Sequence, residues 1–561
     1  MKVSSFDIFD TCLVRKCGTP ENLLDILSLK AFVHEPQEWA RQEFVAARRL
    51  TEQKLWQENP RYTLQDIWVE FDWSHQFLKP KKELCQLEQE LEREMLVPVL
   101  SMRDKVNECR KHGDKIIFIS DMYLSSDFLI DILRNYGFYQ DSDALYVSCE
   151  CGAMKWDGEL FEYVRKQENL PSFRHWHHYG DNKQGDYNAP KKLGIKCTLI
   201  NHAYTPYQQQ WAENDYSLGF KYPSILAGLG RAIHYSTEWN THTDFVLDII
   251  APFYCSLVYR MMKDAEQCGI KRLYFCARDA YMMYLIAQKY AKLFPSIEVL
   301  FLYISRKALY EGDDDAKIAY YKQIGLATKD DYVGIVDIRS SGRTLAFLNN
   351  YLSNRNYRPV RGYYYELFCH AVDIKQEYYP KDYYLELSDR YDTEKAQMIG
   401  SISHVFETFF PLNTLPKTID YSMSLAEAFP IFEEPGEDNE ADIDKVFIDN
   451  KEHWATIHQQ LILSYTDAYL KSVLYYFSNK IFEIANTTLF HFINAPQKHY
   501  LQTLQCLYGK QWNTGFLPYV RKESWIRLLF TRGKDSLWKQ GTIALNNFTW
   551  FQKLYQRLRY E

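Results

Sequence analysis

The chain opens on a short apolar run, Val3–Phe9, which is too brief for a helix and reads as a buried strand. Thr19-Pro20-Glu21 follows, with a capping hydroxyl, a proline at the first helical position and an early acid, and so predicts a helix start. From there to about residue 100 the apolar positions recur at three-to-four spacing, in Glu43–Glu58, Leu64–Phe71 and Lys81–Leu96. Ser101–His112 is a further helix, with Gly113 as its C′ residue. The pattern then alternates. Lys115–Ser120, Ala144–Ser148 and His175–Gly180 read as strands, and Ser126–Tyr136, Gly158–Gln167 and Asn188–Leu193 as helices. Such alternation predicts a parallel sheet with crossover helices. The helical block at about 18–100 interrupts it after the first strand, as an inserted cap would.

Residues 206–235 read as a connector, and a second α/β unit is expected over 236–432. Its strands are Arg272–Ala277, Glu298–Tyr303, Tyr332–Ile338 and Gly362–Leu367, with helices such as Ala280–Leu293 between them. Residues 433–445 form an acidic linker, and 446–561 read as a helical, basic and aromatic tail. The fold class is therefore α/β, two parallel-sheet domains followed by helices.

At 561 residues, with 46% hydrophobic and 25% charged residues, the chain is long enough for several globular domains. A net charge of −7 argues against a general nucleic-acid binder, whose affinity comes from clustered Lys and Arg. The 12 cysteines show neither zinc-ligand spacing nor the density of a disulfide framework. The first residues lack the architecture of a signal peptide, and no run of about 18 apolar residues stands out, the most apolar helical stretch being His458–Phe477. A cytoplasmic, reduced protein is expected. The 44 tyrosines are read as core and interface residues.

Four pieces of the first domain carry chemistry. They are Asp7-Ile8-Phe9-Asp10-Thr11, Ser120 with Asp121, Lys155, and Gly180-Asp181-Asn182 with Asp186. Each lies at the carboxyl end of an expected strand or in the loop after it, the edge where open parallel sheets bind ligands. Carboxylates, a lysine and hydroxyls meeting there suit phosphoryl transfer through a covalent aspartyl-phosphate. Asp7 attacks; Asp7, Asp181 and the Phe9 carbonyl hold Mg²⁺, with Asp186 behind them. Thr11, Ser120, Asp121, Lys155 and Asn182 form the phosphate-binding set, and Lys155 also steadies Asp7. His175, His177 and His178 are read as packing residues rather than metal ligands.

These four motifs, in this order and with a helical insert after the first strand, resemble the haloacid dehalogenase-like (HAD) superfamily of hydrolases. FDIFDT, ISDMYLS, MKWDGELF and HYGDN more narrowly resemble predicted HAD-type hydrolases encoded in bacterial surface-polysaccharide loci, which carry a second α/β domain. The resemblance implies a phosphatase of a small phosphorylated metabolite, a sugar or polyol phosphate. One position departs from the pattern. Phe9 stands where such phosphatases carry a general acid and base, so Asp10, Asp121 or a cap residue takes that role, or the substrate has a good leaving group. Two alternatives stay open: a non-catalytic phosphate- or nucleotide-binding interaction protein, and a transferase whose chemistry lies in the second domain.

In that second domain Cys276-Ala277-Arg278-Asp279 and Asp337-Ile338-Arg339-Ser340-Ser341-Gly342-Arg343-Thr344 each follow a strand and precede a helix. With Arg306, they offer Arg278, Asp279, Asp337, Arg339, Ser341, Gly342, Arg343 and Thr344 as a candidate anion site. VDIRSSGRTL resembles the phosphate loop of type I phosphoribosyltransferases but lacks its paired acids; Glu407 is a further candidate there. The basic tail from Tyr519 onward is expected to dock onto protein, with an anionic membrane surface as the alternative.

Overall fold

The computed structural model describes residues 2–34, 36–59, 61–213, 222–237, 243–367, 384–387, 410–425, 427–434 and 445–501, with shorter pieces between 505 and 546. The acidic stretch 435–444, Glu407 and most of the chain after 519 lie outside them. Two compact units form, residues 1–240 with 468–474, and 241–467 with 475–561.

The first unit is built on β1 (Val3–Phe6). A two-stranded ribbon follows, β2 (Leu13–Arg15) with β3 (Leu96–Pro98), antiparallel, and it ties together the two ends of the helical insert. The insert is α1 (Pro20–Lys30), α2 (Glu38–Glu58), α3 (Leu64–Glu70) and α4 (Lys81–Met95). Thr19 caps α1 as expected, and Thr63 with Asp66 forms a capping box on α3. Within the insert the fully buried Arg48 is held by Glu88, whose other oxygen accepts from Trp68 Nε1 at 2.9 Å. An isolated buried guanidinium would be prohibitive; this one is paired and hydrogen-bonded.

The chain then alternates through α5 (Leu100–Lys111), β4 (Lys115–Ser120), α6 (Ser126–Asn135), β5 (Ala144–Val147), α7 (Ser148–Cys151), α8 (Glu159–Gln167), β6 (Trp176–Gly180), a π-helical turn (Lys183–Asn188), α9 (Ala189–Lys192) and β7 (Lys196–Leu199). Gly113 takes φ +78° just after α5, where a left-handed residue is needed. All strand pairs are parallel, in the order β5-β4-β1-β6-β7. Val3, Ile117 and Ile119 pack one face of the sheet against Leu160, Phe161 and Val164 of α8. On the other face Phe6 stacks on Tyr179 at 4.9 Å. β1 is central, and the chain passes to β4 on one side of it and β6 on the other. Such a reversal opens a crevice at the carboxyl edge.

The stretch read as a connector is instead helical. It contains α10 (Pro206–Glu213) and α11 (Tyr222–Ser236), and α11 is buried along most of its length within the first unit. Gly228 of α11 meets the backbone of Gly18 so closely that a Cβ there would lie 2.2 Å from Gly18 N. β7 and α7 are further elements that the sequence reading did not mark.

The second unit carries β8 (Arg272–Cys276), β9 (Glu298–Leu302), β10 (Val333–Ser340), β11 (Arg361–Leu367) and β12 (Tyr384–Glu386), parallel in the order β12-β11-β10-β8-β9. Tyr274, Ile335, Leu345, Leu348 and Tyr364 lie in its core. Among the described residues, helix Thr243–Gln267, rather than His458–Phe477, is the stretch long and apolar enough to cross a membrane by length and composition; 89% of that window is buried inside the protein. The C-terminal region is largely helical, as in Lys445–Lys471 and Ser478–Asn494, but it also contains a hairpin, Tyr508–Gln511 with Gly515–Pro518, where helix was expected. The α/β class with two parallel sheets and a helical insert after the first strand is the observed architecture.

Candidate active site

β1, β4 and β6 lie side by side, so the residues after them converge at one edge. Lys155, which follows α7, reaches into that edge. Its ammonium donates to Asp7 Oδ1 and to Asp186 Oδ1, each at 2.6 Å, and all three groups are buried. Asp7, Asp181 and Asp186 each bring a carboxylate oxygen within 4.8 Å of the other two. Thr11 Oγ1 lies 3.4 Å from both Asp7 Oδ2 and Asp181 Oδ1.

Asp186 is fixed from behind. Trp176 Nε1 donates to Ser5 Oγ at 2.6 Å, and Ser5 Oγ lies 2.7 Å from His178 Nδ1. His178 Nε2 in turn lies 3.1 Å from Asp186 Oδ1. Because the carboxylate only accepts, the ring proton sits on Nε2 and the serine donates to Nδ1. The backbone N–H of Asn182 donates to the other Asp186 oxygen at 2.9 Å. Gly180 makes room for this arrangement, since a Cβ there would lie 2.4 Å from Asp186 Cγ.

The electrostatics follow from the geometry. Burial opposes the charge on Lys155, but Asp186 and Asp7 outweigh it and hold the amine protonated. Burial also penalises the Asp186 charge, but Lys155 and His178 more than compensate and its carboxyl lies well below the usual range. Burial pushes Asp7 well above that range; Lys155 pulls it back, while Asp186 and Asp181 push it further up. Burial raises Asp181 too, with Asp10 the next contributor. With all three carboxylates ionised the cluster would carry a net charge of 1 − 3 = −2 against its one lysine, and that repulsion contributes to the raised pKa values of Asp7 and Asp181. A hard divalent cation among carboxylate oxygens relieves that repulsion, and the all-oxygen donor set fits Mg²⁺.

Other expected residues take different places. Asp10 has φ +51° and its carboxylate accepts from Arg231 Nη2 at 2.9 Å, so it is committed to α11 rather than presented as a free acid. Asn182 was expected on phosphate; its Oδ1 instead accepts from the backbone of Gln184 and Gly185, each at 2.9 Å, and caps the π-helical turn. Asp121 accepts from Lys155 N through both oxygens, at 2.9 and 3.0 Å, and burial raises its pKa. Ser120 ends β4, buried at the same edge. Phe9 follows Asp7 by two residues, with the Arg15 guanidinium 4.4 Å from its ring centroid. His178 and Arg231 were missed as parts of the site. The histidine run was visible in the sequence, but nothing local linked Arg231 to a residue 221 positions away.

Above this edge lies a cavity of about 800 Å³. Glu52, Gln53, Trp56 and Gln57 of α2 form one wall, and Asp121, Tyr123, Trp156 and Asn182 contribute to the other. Asp7, 5% exposed, is not among the residues that line it.

In the second unit, β8 and β10 are neighbours, so the two singled-out stretches reach the same sheet edge. The strand β10 runs on to Ser340, which places Asp337 and Arg339 within it rather than in a loop. Arg339 Nε is 2.5 Å from Glu366 Oε2, an ion pair where a phosphate ligand was expected. Asp337 Oδ1 accepts from Ile338 N at 2.8 Å. Gly342, at φ +79°, is the residue before helix Arg343–Ser353, and Ser341 Oγ accepts from Arg343 N at 3.4 Å. Arg278, Arg306 and Arg343 are exposed, and Asp279 and Thr344 half-buried.

No protein-family model matches the chain, and no curated protein matches it. Among solved structures it is similar to a HAD-hydrolase from Bacillus subtilis bound to magnesium (16% identity, TM-score 0.27, covering 36% of this chain and 90% of that one). It is also similar to a HAD phosphatase from Thermococcus onnurineus (18%, TM-score 0.27, covering 36% and 87%). L-2-haloacid dehalogenase from Xanthobacter autotrophicus is a third (13%, TM-score 0.28, covering 39% and 86%).

Proposed function

We propose that the first unit is a Mg²⁺-dependent phosphohydrolase of the HAD type that works through an aspartyl-phosphate on Asp7. The observation that carries this reading is the bridge from Lys155 Nζ to both Asp7 and Asp186, at 2.6 Å each, with Asp181 in the same cluster. Structural ion pairs rarely bring three carboxylates and one lysine to the carboxyl edge of a parallel sheet, because the surplus charge destabilises the apo fold.

Asp7, Asp181 and the Phe9 carbonyl would hold a magnesium ion, with Asp186 behind them, and the ion would supply the charge that lets a carboxylate approach a phosphate. Lys155 fixes the Asp7 carboxylate and faces the negative charge gathering on the phosphoryl oxygens. An Asp7 oxygen forms a bond to phosphorus as the bond to the leaving oxygen breaks. Asp121 lines the cavity and has a raised pKa. It protonates that oxygen, then takes a proton from the water that hydrolyses the aspartyl-phosphate. The cycle releases inorganic phosphate and restores both carboxyl groups. Asp121 assumes the role that Phe9 is unable to fill, Asp10 being engaged by Arg231.

The test is phosphate release from acetyl phosphate and p-nitrophenyl phosphate by the full chain. The reading predicts turnover that requires Mg²⁺, is abolished by EDTA and disappears in Asp7→Asn. Turnover by Asp7→Asn at the wild-type rate, or none by the wild type on either compound, would overturn it.

A further inference from the structure

The turn after the nucleophile is held by a helix that none of the four motifs contains. We propose that Arg231 of α11 is a positioning residue of the active site: through Asp10 it fixes the turn that carries the Phe9 carbonyl and Thr11, and so sets the affinity for the metal. The inference rests on the phosphohydrolase reading for the identity of the metal site.

The turn is tight. Cys12 N and Leu13 N both donate to the Ile8 carbonyl, at 2.9 and 2.8 Å, so the chain reverses directly after Asp7. Asp10, in the middle of the turn, has φ +51°. An L-residue adopts that region at a cost, although aspartate tolerates it better than most, and it stays there only when its surroundings hold it. The peptide group joining Phe9 to Asp10 is planar, so the Phe9 carbonyl turns with the Asp10 backbone. Thr11, the next residue, sets its Oγ1 3.4 Å from both Asp7 Oδ2 and Asp181 Oδ1. Whatever fixes residue 10 therefore fixes one candidate metal ligand and the hydroxyl that lies between two others.

Arg231 does so. It is 8% exposed, and its Nη2 donates both to Asp10 Oδ1 at 2.9 Å and to the Gly18 carbonyl at 3.2 Å. The guanidinium also lies 4.6 Å from the Tyr204 ring centroid. A charge buried to this extent is retained where partners offset its desolvation, and here the partners are the turn itself. The helix beneath is anchored in turn. Gly228 packs against the Gly18 backbone, and Asn22 Nδ2 donates to Ser224 Oγ at 2.8 Å. A second contact acts on the neighbouring residue. His202 Nε2 donates to the Thr11 carbonyl at 2.9 Å, and its ring packs on Tyr235 of α11 with centroids 4.7 Å apart. Both contacts come from beyond β7, so the metal site depends on chain that follows the last motif.

The test uses the full chain and two readouts. One is Mn²⁺ affinity, with the free ion measured by electron paramagnetic resonance. The other is amide hydrogen exchange over residues 8–13 without metal. Arg231→Gln keeps a donor for the Gly18 carbonyl but removes the charge opposite Asp10. It should weaken Mn²⁺ binding by about 10- to 100-fold, the usual effect of disturbing groups behind a metal ligand. Exchange over residues 8–13 should rise, while β4 and α8 exchange as in the wild type. Arg231→Lys should recover both readouts in large part, because a single nitrogen makes both contacts and an ammonium can take its place. At saturating Mg²⁺ the KM for acetyl phosphate should stay near the wild-type value, since Arg231 acts on the turn and not on the substrate. Asp10→Ala removes the same contact from the more exposed side of the pair and should reproduce the Arg231→Gln changes. The two combined should weaken Mn²⁺ no further than either alone. Additive losses would mean that Arg231 acts through the packing of α11 rather than through Asp10, and would overturn the inference. So would wild-type Mn²⁺ affinity in Arg231→Gln, or in Asp10→Ala should the first variant not fold. In each of these cases turnover by the wild type leaves the hydrolase reading standing. A wild type that binds no Mn²⁺ and releases no phosphate overturns that reading, and this inference with it.

Discussion

Lys155 Nζ lies 2.6 Å from Asp7 Oδ1, although 148 residues separate the two in sequence. The contact is buried, and the same ammonium holds Asp186 at 2.6 Å. Lys155→Met removes the cation that bridges Asp7 and Asp186 in this three-carboxylate cluster. Its kcat should fall by about 10³-fold or more, since charge stabilisation at a developing transition state is worth that much. Lys155→Arg should not restore it, because a planar guanidinium does not reproduce two short contacts from one nitrogen. Phosphate release and a thermal melt of both variants check this. A Lys155→Met enzyme within tenfold of wild type would remove the lysine from the mechanism.

Gly180 offers a second, steric test. A Cβ at this position would stand 2.4 Å from Asp186 Cγ and 2.6 Å from its Oδ2. No real Cβ tolerates that, and the carboxylate must move. Gly180→Ala should therefore raise the Mg²⁺ concentration needed for half-maximal activity by about 10- to 100-fold, the usual effect of disturbing the groups behind a metal ligand. Mg²⁺ titration of the activity reads it directly; an unchanged half-saturation point would show that Asp186 does not set the metal site.

Asp121 and Asp10 should part company. Asp121→Asn should lose about 10²–10⁴-fold on esters with poor leaving groups, the ordinary contribution of a general acid. It should lose far less on p-nitrophenyl phosphate, whose leaving oxygen needs no proton. Asp10→Asn keeps an acceptor for Arg231 and a residue that tolerates φ +51°. It should stay within about tenfold on both. Reversal of the two patterns would place the acid on Asp10.

Acid should destabilise the second unit through His458. The ring is buried, its Nε2 lies 3.2 Å from the Phe410 carbonyl, and burial lowers its pKa from 6.5 to about 4. Between those values the unfolded chain binds a proton that the folded one refuses, so stability falls as pH drops from 6.5 to about 4 and the effect levels off below. The slope is about 1.4 kcal/mol per pH unit, roughly 3 kcal/mol in all. His458→Gln, which still donates to a carbonyl but does not titrate, should show a shallower fall in urea midpoint over this range. Parallel curves for the two proteins would rule the histidine out.

Four of the five strands of the first sheet were legible because they are short, largely apolar and separated by helices of ordinary length; the fifth, β7, is mostly solvent-facing and was not marked. KIIFIS is strand Lys115–Ser120, as its pattern indicated. The helical insert was equally plain, since Thr19-Pro20 and the three-to-four spacing are local signals. The 206–235 stretch, read as a connector, holds α10 and α11, and the burial of α11 follows from tertiary packing that its sequence alone did not reveal. The strand pair Tyr508–Gln511 and Gly515–Pro518 was missed because strand pairing is decided by partners rather than by propensity.

The same division runs through the site. Sequence alone determined which acids, lysine and hydroxyls stand at strand ends, because strand periodicity and residue type are local. Tertiary structure decided their partners: that Asp10 answers to Arg231, that Asn182 caps a turn, that Arg339 is held by Glu366, and that His178 braces Asp186 through Nε2. Those contacts span from a few positions, as in His178–Asp186, to 221, as in Asp10–Arg231, and each depends on how the backbone brings side chains together in space, which residue type and periodicity do not encode.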